Sequence, residues 1–76
     1  MKEIKYFFEK IGRSDINETI DNLVEDGIID SIEIMNLVQE MEAYYGIFID
    51  FDYISLEHLR NFQTIKNMIE EILKNN

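Results

Sequence analysis

The side chain best placed for chemistry in this chain is the hydroxyl of Ser31, set between Asp30 and the segment Ile32-Glu33-Ile34-Met35-Asn36-Leu37. It falls where a loop ends and a strongly periodic helix begins, with apolar residues on both sides. A helix N-terminus offers free backbone N–H groups and a partial positive charge, which suits a phosphodiester oxygen. A self-activated serine nucleophile would also need a base. The one histidine, His58, stands far along the chain in another segment. Ser31 therefore reads as a substrate for a separate enzyme. The plainer role is a helix cap, which serine commonly fills, and spacing alone favours it. A full capping box on Ser31 would need Glu or Gln at position 34, where Ile34 stands. The two roles are compatible.

Other reactive side chains form no constellation. Asp50, Asp52 and Glu57 suggest a calcium loop, but the glycine required at the sixth position is Ser55 and the twelfth position holds no Glu. They read as solvated loop charges. His58 has no second His or Cys to share a metal with and reads as a surface residue. Tyr44 and Tyr45 read as core and core-edge aromatics. Glu40 and Glu42 read as a solvated face.

The elements that position Ser31 follow from hydrophobic spacing. Residues 2–12 carry Ile4, Phe7, Phe8 and Ile11 on one helical face, with Gly12 as a stop. In 13–27 the pattern weakens. Ile16, Ile20, Leu23 and Val24 suit a helical turn or two within a long loop. Gly27 breaks it, and Ile28 and Ile29 are expected to tuck the loop onto the core. The clearest helix spans about 31–45, with Ile34, Leu37, Val38, Met41, Tyr44 and Tyr45 on one face and Gly46 as its stop. Ile32 and Met35 leave that face and lie together on its flank, beside Ser31 and Gln39.

Residues 47–52 have no strand to pair with and read as an extended loop burying alternate apolar side chains. A short third helix is expected at about 55–60, capped by Ser55, with Leu56 and Leu59 inward. Thr64 is the expected cap of the last helix, whose inward face is Ile65, Met68, Ile69, Ile72 and Leu73. Lys74 suits that helix's negative end. The expected fold is all-α, a small four-helix bundle of three main helices and a short third one, with a long first loop.

Bulk properties bound the function. The 76 residues, 46% of them apolar, make a single domain near the lower limit for an independent core. A deep catalytic cleft is not expected at this size, so the chain reads as a non-enzyme. With no Cys, neither disulfides nor thiolate metal sites support it, which points to a reducing cytoplasm. No signal peptide or membrane-spanning run is evident, and a soluble monomer is expected. Sixteen acidic residues against seven basic ones give a formal net charge of −9. That field disfavours nucleic acid and anionic membranes; it either steers in proteins with basic docking faces or only keeps the chain soluble, and charge alone does not choose between them.

Asp30-Ser31-Ile32-Glu33, followed by Met35 and Leu37, resembles the Asp-Ser-Leu attachment motif of the acyl and peptidyl carrier proteins. Asp26-Gly27-Ile28-Ile29, Tyr45-Gly46-Ile47-Phe48-Ile49 and Asn61-Phe62-Gln63-Thr64-Ile65 fall in the same family register, so the likeness covers nearly the whole chain. It implies an acyl-carrier-protein-like fold and a 4'-phosphopantetheine arm attached to Ser31 by a phosphopantetheinyl transferase. The arm's thiol would carry an acyl or aminoacyl group as a thioester. Asp30 and Glu33 would contact the transferase and partner enzymes, while Ile32 and Met35 would form an apolar docking spot; the plainer alternative for those two is partial burial under the first loop or the third helix. The implied partners are an acyl- or aminoacyl-activating (adenylating) enzyme and a downstream acyltransferase or synthase.

Asn36 stands where fatty-acid carriers place an acid, and Gln39 where their docking face is apolar. The run Asp-Gly-Ile-Ile-Asp-Ser is closer to D-alanyl and free-standing aminoacyl or peptidyl carriers. These features put a secondary-metabolite, aminoacyl or cell-wall pathway ahead of fatty-acid synthesis. Two rivals use the same residues: an acidic adaptor that binds a partner through Ile32 and Met35 with Ser31 unmodified, and a regulatory domain phosphorylated at Ser31.

Overall fold

The apolar spacing is realised as three α-helices, with no strand among the described residues: α1 (Lys2–Lys10), α2 (Ser31–Tyr45) and α3 (Phe62–Lys74). The computed structural model describes residues 2–75. The radius of gyration is 11.2 Å, close to the roughly 11 Å of a well-packed chain of this length.

Helix α1 is the hub and packs against both α2 and α3. Its buried face is Ile4, Phe7 and Phe8, as the spacing predicts. Phe8 stacks on Phe62 of α3, rings nearly parallel with centroids 5.2 Å apart. Phe7 meets Tyr44 and Tyr45 of α2 edge-on, at 5.2 and 5.9 Å. Aromatic pairs in such geometries add to area burial alone. Leu37, Val38 and Met41 of α2 and Ile65, Met68, Ile69 and Ile72 of α3 complete the core, which contains no buried polar or charged residue among those described.

The long first connection is pinned to this core by Ile16, Leu23 and Ile29, all buried. Lys5 of α1 donates to the Ser14 and Ile16 carbonyls at 2.5 and 2.8 Å. The Leu23 N–H donates to the Arg60 carbonyl at 2.9 Å, and the Arg60 guanidinium grips the Asp21 carboxylate with two bonds of 3.0 Å. Gly46 ends α2 at φ +64°, a left-handed conformation that side-chain-bearing residues resist, and its N–H donates to the Glu42 carbonyl.

Several expectations are corrected. Residues 55–60 form a turn and no helix, closed by the Leu59 N–H donating to the Ser55 carbonyl at 3.1 Å. Among the described residues only three α-helices therefore form, and a single 3-10 turn at Phe51–Tyr53 precedes that turn. Leu59 is buried, but Leu56 points outward. The alternation in 47–52 holds as far as buried Ile49 and fails at Phe51, which opens the 3-10 turn and is exposed. The cap of α3 is Asn61, with Thr64 three residues later completing a reciprocal box. Tyr44 and Leu73 fall on inward faces by spacing yet are exposed, each near the end of its helix.

Candidate functional site

The 27–33 turn delivers Ser31 to the first position of α2. Gly27 lies at φ +69° and its N–H donates to the Val24 carbonyl, reversing the chain. Ile29 then anchors the turn in the core, its N–H donating to the Leu23 carbonyl at 3.0 Å. Asp30 is extended, at φ −97° and ψ 179°, and it is the N-cap of α2. Its Oδ1 accepts from the Glu33 N–H at 2.8 Å, while Glu33 Oε1 accepts from the Asp30 N–H at 3.1 Å. This is a complete capping box, one residue earlier than a box centred on Ser31 would fall.

Ser31 is therefore not the cap. It is exposed, and its hydroxyl makes no hydrogen bond among the described residues. The backbone N–H groups of Ser31 and Ile32, the first two of the helix, also have no acceptor among the described residues. Such orphan donors are ordinary at a helix start and favour negative charge nearby. Among the described residues no basic side chain is hydrogen-bonded to the hydroxyl to activate it. His58 makes its contacts in the second connection, with Nδ1 2.8 Å from Ser55 Oγ and its ring edge-on to Tyr53. Chemically, the Ser31 oxygen can be esterified without breaking any native bond.

The flank of α2 beside Ser31 is apolar and open. Ile32 is 71% exposed and Met35 46% exposed. They stand one turn apart on the same side of the helix, with Asn36 and Gln39 exposed next to them. Of the residues singled out from the sequence, Asp30, Ser31, Ile32 and Met35 thus share one exposed helix end. Glu33 differs, because its carboxylate is turned into the fold.

What holds Glu33 there is Arg13, a residue with no distinguishing sequence signal. Arg13 Nη1 donates to the Ile28 carbonyl at 2.8 Å and to both Glu33 oxygens, at 3.0 and 2.9 Å. Its Nε and Nη2 donate to the Asp15 carboxylate at 3.1 and 3.2 Å. The Arg13 and Glu33 side chains are only 25% and 23% exposed, so solvent screens this pair less than an open surface pair. Hydrogen bonds to Asp15 and then to Glu33 raise the Arg13 pKa further above its already high value, and the same Arg13 bond lowers that of Asp15. The local signal that was available is the spacing of Asp30 and Glu33, which matches a capping box.

Asp50, considered above for a calcium loop, caps the 3-10 turn, its Oδ1 accepting from the Asp52 N–H at 2.9 Å. No helix of the described residues is long and apolar enough to cross a membrane. The chain matches no protein-family model, no curated protein and no solved structure among those with which it was compared.

Proposed function

We propose that this chain is a carrier protein in which Ser31 bears a 4'-phosphopantetheine arm and presents its acyl or aminoacyl cargo to partner enzymes. The observation that carries the reading is an exposed serine hydroxyl at the start of α2 with no structural task, because Asp30 supplies the cap. The arm would be joined by exchanging the Ser31 Oγ–H bond for an Oγ–P bond. The proton would pass to a base of the transferase, and the donor's leaving phosphate would depart with the electron pair of the broken P–O bond. This chain supplies the oxygen and the approach.

The residues fit a phosphodiester at this point. The unpaired N–H groups of Ser31 and Ile32 and the positive end of α2 favour its charge. Arg13 offsets the Glu33 carboxylate, which would otherwise repel it. When attached, the arm supplies a thiol for thioester chemistry, a group this cysteine-free chain lacks.

Asp30 keeps one carboxylate oxygen, Oδ2, outside the cap for a basic transferase face. Ile32 and Met35 offer apolar contact beside it. Asn36 and Gln39 on the same face favour an aminoacyl, secondary-metabolite or cell-wall pathway over fatty-acid synthesis. The partners would then be an adenylating enzyme and a downstream acyltransferase or synthase, in the cytoplasm. The exposed Ile32 and Met35 equally suit the adaptor reading. Intact mass after incubation with phosphopantetheinyl transferases and their donor separates the two. A gain equal to the arm, abolished by Ser31→Ala, supports the carrier. An unchanged mass with every competent transferase refutes it and leaves the adaptor.

A further inference from the structure

We infer that Arg13 is a positioning residue for the modification of Ser31, an inference that rests on the carrier reading above. Arg13 lies three residues beyond the end of α1 and is tied back to it by its N–H, which donates to the Phe8 carbonyl at 2.8 Å. From there one guanidinium nitrogen clips the chain on both sides of Ser31: the Ile28 carbonyl before it and the Glu33 carboxylate after it. Glu33 Oε1 in turn receives the Asp30 N–H. Arg13 therefore closes a loop of contacts from α1 through Glu33 to the cap that sets the backbone at Ser31.

The other edge of the guanidinium is held by Asp15. Two acceptors on one edge and one carboxylate on the other require a planar fork, which the point charge of a lysine cannot reproduce. Among the described residues no other basic side chain bonds Glu33 or the Ile28 carbonyl. Without Arg13, the Glu33 carboxylate is drawn toward water and the reciprocal half of the cap opens. The rest of the first connection stays tied by Lys5, by Asp21 with Arg60, and by the Leu23–Arg60 backbone bond. Loss of Arg13 thus loosens the 28–33 turn while the fold persists.

The test compares Ser31 modification rates for wild type, Arg13→Gln, Arg13→Lys and Ile72→Val, well below their melting temperatures. Ile72 is a core residue of α3, so its variant reports destabilisation alone. We expect Arg13→Gln to lower kcat/KM about tenfold, short of the roughly hundredfold that a 1 Å misplacement of a reacting group can cost. Arg13→Lys should recover only part of the rate, and Ile72→Val should retain it. Amide exchange at Asp30 and Glu33 should quicken in Arg13→Gln and not in Ile72→Val. If Glu33 instead docks directly on a basic transferase, Arg13→Gln frees it and modification accelerates, which overturns the inference. An unchanged rate, or an equal loss in Ile72→Val, overturns it too. A wild type that no transferase modifies defeats the carrier reading itself, an outcome distinct from a modified wild type indifferent to Arg13.

Discussion

Replacing Asp30 and Ser31 one at a time by alanine asks which of two adjacent residues starts α2. The Asp30 Oδ1 accepts a hydrogen bond from the Glu33 N–H at 2.8 Å, and alanine removes that acceptor. Loss of such a cap costs about 1 kcal/mol, and loss of a carboxylate at a helix N-terminus adds about 0.3–1 kcal/mol. The two together predict roughly 1–2 kcal/mol for Asp30→Ala, which in a domain of this size lowers the melting temperature by about 5–15 °C. Ser31→Ala removes no hydrogen bond and introduces a better helix former, so its melting temperature should stay within about 4 °C of wild type. Asp30→Asn, which keeps the acceptor and drops the charge, should fall between. Thermal denaturation by circular dichroism at low salt reads all three. An equal loss for Ser31→Ala and Asp30→Ala would mean that the serine shares the cap, and the hydroxyl would no longer be free of structural work.

Two further outcomes follow from the same structure. Hydrogen bonds from Arg60 first, and then from Asn61, hold the Asp21 carboxyl at about 2, below its ordinary 3.8. A carboxyl depressed in the folded state stabilises above its unfolded pKa and loses that contribution as pH falls toward the folded one. Wild type should therefore lose more stability than Asp21→Asn between pH 3.8 and about 2, and parallel melting curves across that window would remove the proposed tie between the first connection and Arg60. Met35→Asp should stay folded, within about 1 kcal/mol of wild type as befits a substitution outside the core, yet slow Ser31 modification or loading. An unfolded Met35→Asp would make Met35 a core residue and end its docking assignment.

The helical faces were legible because burial follows the helical period directly. Ile4, Phe7 and Phe8 in α1, and Ile65, Met68, Ile69 and Ile72 in α3, are buried where the spacing puts them. Periodicity cannot say where a neighbouring helix stops, so Tyr44 and Leu73 carry the pattern out past their cover. Nor did it show that 55–60 would remain a turn. Six residues are too few to offset the cost of helix nucleation without strong packing, and Leu59 is the only one of the six that is buried. Asn61 adds a backbone constraint. As the cap of α3 it is extended, at φ −157° and ψ −178°, so the chain must unwind before Phe62.

The caps of α2 and α3 both precede the hydroxyl residue that spacing suggests, and for the same reason. Ser31 and Thr64 each have the side chain of a cap, but the residue that wins is the one whose third successor can return a hydrogen bond. For Asp30 that successor is Glu33, and for Asn61 it is Thr64, whose Oγ1 accepts from the Asn61 N–H at 3.0 Å. Ser31 has Ile34 at that position, which returns nothing. The register of one carboxylate therefore releases the serine hydroxyl from capping and leaves it at the surface, a consequence present in the spacing of Asp30 and Glu33. The contribution of Arg13 was not present there. Its bond to Glu33 joins residues twenty apart in sequence, across a connection whose path is set by three scattered apolar anchors, Ile16, Leu23 and Ile29. No local period encodes that path. If Arg13 governs how Ser31 is presented, the serine can be found from a short motif, while the residue that aims it depends on the fold.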